Sequence, residues 1–489
     1  MVTVRLTQKE SGAYFTPDAV VASLLSWGVR GKDERLLDPS CGDGRFIAGH
    51  RNAVGIEQDP VSARTAIARA PWALVHEGDF FAWASETHER FECAVGNPPF
   101  IRYQTFKGPV RASAAALCKR LGANFSGLAS SWAPFLVATA SLLKRGGRMS
   151  FVVPAEIGHA PYAAPLLEYL VSRFSTVHVV AVRHKLFPDL SEDCWLLHAE
   201  GFEGTTSEIR FSVLERFVQS KRPPTQFERI NVNEWRDTWR QRLRPYLMPL
   251  AAREQYRLVA DHTHSVRLGA IASVGIGYVS GANDFFHLRP SEADHWGIPK
   301  QFLHPTVRNG RALPSSRVTA SVVDRWKRDD EAILLLRLPK SKTIPRAIHR
   351  YLDTDAGQIA REAYKCRMRE PWYSVPDVYV PDFFLSYMSG EQAQLVRNDA
   401  DCTCTNSLHG VRLKDRALSR HLASWGTEFV QLSAEIEGHP LGGGMLKLEP
   451  REAAQIVLPE SAALKDCEPA VFAHAVETMR TWRHYGGRT

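Results

Sequence analysis

Three short strand-like runs, at 34–37, 53–57 and 74–80, each followed by turn or helix-start residues, set the fold that this chain can reach. Between the second and third, Asp59-Pro60 opens a helical stretch that continues to Ala70. Strand, helix, strand, helix, strand is the rhythm of a parallel sheet, because parallel neighbours need a crossover between them. The first run ends in Asp38-Pro39-Ser40-Cys41-Gly42-Asp43-Gly44-Arg45-Phe46. Two glycines after a strand let the backbone approach a ligand closely, and a helix start beyond them favours negative charge. The third glycine of a dinucleotide fingerprint is missing, since Ile47 stands in its place. Glu57 ends the second run as an acid able to accept hydrogen bonds from both hydroxyls of a ribose. Asp79, in the third, suits an adenine amino group, with Phe80 to cover a ring.

A fourth run, this one apolar, leads into Asn97-Pro98-Pro99-Phe100. Proline has no backbone donor, so the ladder stops here and a stiff polar turn begins. The turn offers an amide oxygen, a backbone carbonyl and a ring face, a set suited to a planar amino group carried on an aromatic ring. A plain proline-terminated strand is the other reading of the tetrapeptide. Further on, helices are expected at 128–143 and 160–174 and strands at 148–154, 177–182 and 194–198, so that one open α/β domain closes near residue 203. The domain limits expected are 1–215 for this catalytic unit, with 101–128 as a basic insertion, 216–262 as linker and helical connection, and 263–489 as a second unit mixing short strands and helices.

With 489 residues the chain is too long for one ordinary core. No run approaches the ~18 to 20 apolar residues of a membrane span, and no signal-peptide pattern opens the sequence, so a cytoplasmic protein is expected. Eight cysteines are scattered through the chain, and the only close pair, Cys402 and Cys404, lacks the second pair of a zinc site. Net charge is +8, and residues 101–150 hold eight Lys or Arg with no Asp or Glu. A basic sleeve directly after the Asn-Pro-Pro-Phe turn points to a phosphate backbone; a solvated helix face is the alternative.

Taken together, Phe15-Thr16-Pro17, the 38–46 loop, Glu57, Asp79-Phe80 and Asn97-Pro98-Pro99-Phe100, in this order and with a large C-terminal region, resemble the gamma-group adenine-N6 DNA methyltransferases of restriction-modification and related phage-defence systems. Motif similarity covers about the first 200 residues. The resemblance implies a Rossmann-like class I S-adenosylmethionine-dependent methyltransferase fold followed by a mixed α+β target recognition domain. S-adenosylmethionine is the implied cofactor, held by Phe15, Thr16, Asp38, Ser40, Gly42, Gly44, Glu57, Asp79 and Phe80, and no metal is needed. Asn97, Pro98, Pro99 and Phe100 are the implied catalytic turn, with Phe187 as a second aromatic against an extruded base, a core phenylalanine at a strand end being the other reading of Phe187. Double-stranded DNA is the implied partner, and Arg102, Lys107, Arg111, Arg367, Arg369 and Trp372 are candidate contacts to it, packing being the other reading of Trp372.

In the second half, Gly275-Ile276-Gly277-Tyr278, Asn283-Asp284-Phe285-Phe286, Thr405-Asn406-Ser407-Leu408-His409 and Gly442-Gly443-Gly444 resemble parts of the family's recognition domain. No nuclease segment is expected, so the resemblance allows a separately encoded restriction endonuclease or defence protein as partner. Two other readings share these residues: an RNA adenine methyltransferase, since Asn-Pro-Pro-aromatic turns also serve RNA and protein substrates, and a DNA-binding subunit that has lost catalysis.

Overall fold

The computed structural model describes residues 16–101, 108–125, 130–188, 190, 192–340, 344–441 and 443–486. Phe15, Arg102 and Lys107 lie outside the described residues. The chain divides into two compact units, Met1–Leu247 and Met248–Thr489. That division falls inside the stretch 216–262 expected to connect them.

In the first unit, α1 (Asp18–Gly28) precedes β1 (Leu36–Asp38), α2 (Arg45–Ala48), β2 (Ala53–Glu57), α3 (Pro60–Arg69), β3 (Leu74–Glu77), α4 (Phe80–Glu86) and β4 (Phe91–Gly96). Then come α5 (Gly108–Arg120), α6 (Trp132–Ala140), β5 (Leu143–Pro154), α7 (Ala163–Arg173), β6 (Phe174–Val182), β7 (Cys194–Phe202), β8 (Glu208–Leu214) and β9 (Glu228–Asn231). One nine-stranded sheet holds all of them in the order β3-β2-β1-β4-β5-β7-β6-β8-β9. Strands β3 to β5 run parallel, while β7 is antiparallel to both its neighbours β5 and β6. The chain leaves β1 toward β2 on one side and returns to β4 on the other. Such a reversal of strand order opens a crevice at the carboxyl ends of β1 and β4.

Residue chemistry explains the boundaries. The run 74–80 stops at Glu77 because the Asp79 carboxylate accepts the Ala82 N–H and caps α4. Helix α6 is buried along its whole length, as its apolar sequence requires. Thr16 does not cap α1: Pro17 takes the cap position, and the Thr16 hydroxyl is used elsewhere.

The sheet also runs past residue 203. In β8, Ile209 and Phe211 are buried on alternate positions, residues 210–214 pair with β6, and β9 adds an edge strand. Residues 220–226, expected as an interdomain linker, instead lie between β8 and β9 inside one sheet. The 101–150 charge run also changes meaning. Arg148 is buried, its guanidinium donating to the Gly28 carbonyl and to Glu34, and Lys144 pairs with Glu92. Those acids come from other parts of the chain, so the run looked unpaired in sequence.

The second unit carries sheets of five, four, three and two strands with short helices between them, a mixed α+β arrangement. Two apolar clusters form much of its interior, one around Tyr278, Phe286 and Leu335 and one around Trp326, Phe384 and Leu408. Among the described residues no helix is long and apolar enough to cross a membrane.

Candidate active site

Acids stand at the carboxyl ends of β1 and β2, Asp38 and Glu57, with Asp79 two residues beyond β3. Asp38 is fully buried: its Oδ1 accepts the Ser40 N–H at 3.1 Å, and its Oδ2 has no hydrogen-bond partner. Burial pushes the Asp38 carboxyl up to about 8 against the Ser40 bond, with Glu57 and Asp43 adding repulsion. Glu57 accepts the Gly42 N–H and the Asp59 N–H, both at 2.8 Å, and burial raises it above the ordinary range despite those bonds. Gly42 and Gly44 take positive φ angles of 55° and 87°, so the loop folds back over β2. Asp43, between them, is paired with Arg45 and Arg69. The Gly78 N–H reaches the Glu57 carbonyl at 2.9 Å, which sets Asp79 beside Glu57.

These groups fit S-adenosylmethionine. An unpartnered carboxylate oxygen and two raised acids favour a cation, and a strand-end glutamate suits ribose hydroxyls. Phe80, by contrast, is buried and stacked on Phe135 with ring centroids 5.0 Å apart.

Beside this loop stands the Asn-Pro-Pro-Phe turn. The Asn97 Nδ2 donates to Thr16 Oγ1 at 3.2 Å, which turns the amide so that Oδ1 points away; Oδ1 is buried and has no partner. Ser40 Oγ donates to the Asn97 carbonyl at 3.3 Å, and Ser131 Oγ takes the Pro99 carbonyl. Of the turn's first three carbonyls, only that of Pro98 is left without a partner among the described residues. Two acceptors on this turn are therefore without a partner among the described residues. Phe100 is half-buried and packs on the same apolar cluster that contains Phe187, which is buried.

The candidate DNA contacts divide. Arg111 is half-buried on α5 and Arg367 is exposed. Arg369 is spent on the Ser280 and Val279 carbonyls, at 2.6 Å each, and Trp372 packs on Phe285 and Phe286. Two stretches singled out in the second half hold each other: the Gly277 N–H donates to Leu408, and the Asn406 N–H to Tyr278. Sequence reading missed Gly96 and Ser131. Gly96 was legible as the last residue before the turn, whereas nothing in sequence marks Ser131.

Comparison with known proteins now decides the family. The profile of the type II methyltransferase M.Eco57I C-terminal domain matches residues 240–484, and that of the Eco57I restriction-modification methylase matches residues 56–187. The chain belongs to the family of the type II methyltransferase M.Eco57I. The methylase is 25% identical over 476 residues to the type II methyltransferase M.XamI of Xanthomonas campestris pv. amaranthicola, covering 92% of this chain and 85% of the relative. It is 19% identical to M.AccI of Acinetobacter calcoaceticus, covering 91% and 84%. Among solved structures, the type IIL restriction-modification enzyme MmeI in complex with DNA aligns with a TM-score of 0.48 and 13% identity, over 90% of this chain and 62% of that one. Within the methylase, the 56–187 match takes in Glu57, Asp79, Asn97 and Phe187, and the 240–484 match takes in nearly all of the second unit.

Proposed function

We propose that this methylase transfers a methyl group from S-adenosylmethionine to N6 of an adenine extruded from duplex DNA at a specific site. The observation that carries the reading is the pair of acceptors without a partner among the described residues, the buried Asn97 Oδ1 and the Pro98 carbonyl, on a turn adjoining the acidic loop. An exocyclic amine has two N–H groups and a lone pair delocalised into its ring. Accepting both hydrogens localises that lone pair and aims it, an effect of orientation and preorganised polarity. Phe100 offers a ring face to the base. The cofactor, when bound, supplies a methyl group already activated on a sulfonium centre. Asp38, Ser40, Gly42, Gly44, Glu57 and Asp79 are the residues that would hold it. Restriction-modification membership supports DNA as substrate, with the second unit as the reader of sequence and a separately encoded nuclease as partner. A base must leave the stack to reach this turn, at a cost of about a few kcal/mol.

Transfer of labelled methyl to duplex DNA, read as N6-methyladenine, tests the proposal. Asn97→Ala should keep cofactor and DNA binding and lose transfer. Label appearing only in RNA or protein would overturn it.

A further inference from the structure

We infer that Ser131 is a positioning residue for methyl transfer, and that Tyr162 and Glu156 hold Ser131 in place. The inference rests on the proposed role of the Asn97 turn.

Ser131 is fully buried and sits at the entrance of α6, 34 positions beyond Asn97. It makes three hydrogen bonds to the end of the turn. Its Oγ donates to the Pro99 carbonyl, the same Oγ accepts the Ile101 N–H at 3.0 Å, and its own N–H donates to the Ile101 carbonyl at 3.0 Å. Residues 99 and 101 are thereby fixed on both sides of Phe100, whose ring is the face offered to the base. Pro99 confines the ψ of Pro98, as a proline does to the residue before it, but nothing in the turn confines the ψ of Pro99, so the two prolines alone do not set where Phe100 is carried. An external clamp on the following peptide does.

Ser131 is anchored in turn by both its neighbours. Ser130 and Trp132 each bond the Tyr162 hydroxyl, Trp132 Nε1 at 3.3 Å, and that hydroxyl donates to Glu156. Glu156 lies immediately beyond the end of β5, the strand next to β4. A chain of hydrogen bonds thus runs from the carboxyl end of β5 through Tyr162 and residues 130–132 to the turn at the end of β4. Every link is local and specific: a serine hydroxyl that both donates and accepts is required at 131, and a tyrosine hydroxyl with three partners at 162. This arrangement is more than packing needs, since α6 is already buried along its whole length by a surface that is apolar except for Thr139.

The test is steady-state and single-turnover methyl transfer to duplex DNA by the full chain carrying Ser131→Ala, Ser131→Cys or Tyr162→Phe. Ser131→Ala should lower kcat on the order of 100-fold, as misplacement near the reacting groups does, with cofactor Kd and DNA KM within about twofold of wild type. Ser131→Cys keeps the site filled with a slightly larger, weakly hydrogen-bonding group and should lose nearly as much, so that equal losses in the smaller alanine and the larger cysteine separate the clamp from packing. Tyr162→Phe should lose about tenfold, and nothing further in the Ser131→Ala background. Retention of kcat within twofold in Ser131→Ala and Ser131→Cys would overturn the inference. So would losses that follow thermal stability or cofactor affinity instead of kcat. Absence of transfer by the wild type on any DNA would instead sink the proposed function itself.

Discussion

Gly96 and Asp38 stand so close that a Cβ at position 96 would lie 2.8 Å from the Asp38 Oδ1. The acid expected to serve the cofactor and the residue that leads into the Asn-Pro-Pro-Phe turn therefore share one small space, with Phe151 closing it at 3.1 Å. Gly96→Ala has no room to fit, because Asp38 is fully buried and held by Ser40. Cofactor affinity should fall on the order of tenfold or more as the carboxylate is displaced. Calorimetric titration with S-adenosylmethionine measures it, and unchanged affinity would show that Asp38 does not serve the cofactor.

Asp38 also predicts a pH dependence. Its folded pKa of about 8 lies above the unfolded carboxylate value of about 3.9, so the native state binds the extra proton between these limits. Stability from this group is present below the lower value and is lost as pH rises toward the upper one. Asp38→Asn cannot ionise, so its melting temperature should gain on the wild type steadily from about pH 5 to about pH 8. A constant difference across that range would contradict the raised value. Since a cationic ligand favours the ionised acid, cofactor binding by the wild type should release a proton in the same window and strengthen as pH rises.

Thr16 holds the Asn97 amide by accepting its Nδ2 hydrogen. Thr16→Val keeps the shape and removes the acceptor, leaving the amide free to turn its oxygen away. The expected loss is about threefold to tenfold in kcat, the worth of one hydrogen bond, with little change in stability. Thr16→Ser should restore most of it. Equal rates for valine and serine variants would mean that the contact does not orient the amide.

Arg483 is fully buried in the second unit, donating to Glu435 and to the Gly444 and Gly390 carbonyls. Arg483→Ala removes the main partner of the buried Glu435 carboxylate, leaving it Arg480 at 4.0 Å, and should cost about 3 kcal/mol. Differential scanning calorimetry should show the transition of the second unit moving down while cofactor binding by the first survives. Glu435→Gln in the same background should return part of the loss, because that buried charge is then gone.

The parallel sheet was legible because β1 to β4 each pair a strand-like run with a marked end: glycines after Asp38, an acid at Glu57, a cap at Asp79, prolines after Asn97. Those ends are where the site lies, so most of it could be read in order. Less visible was anything completed by a distant partner. Arg148 reads as a surface charge until Glu34 is placed beside it, and Arg369 as a DNA contact until the carbonyls of residues 279 and 280 claim it. Ser131 belongs to the same class, an ordinary serine ahead of an apolar helix. Strands β8 and β9 were hidden differently: Ile209 and Phe211 alternate as a strand should, but the proline-rich stretch at 220–226 reads as a boundary when it is a connection between neighbours.

The switch in strand order between β1 and β4 divides the first unit into two pieces. One, up to residue 86, carries Thr16, the glycine loop, Glu57 and Asp79; the other, from residue 91, carries the turn and its clamp. A single surface link, residues 87–90, joins them. Parallel pairing of β1 with β4 and the packing of α1 beside β4 and β5 hold the seam without that link. On the proposed roles of these residues the first unit consists of two complementary fragments, one for each reactant, and co-expressing them as separate chains should reassemble an enzyme whose activity depends on fragment concentration.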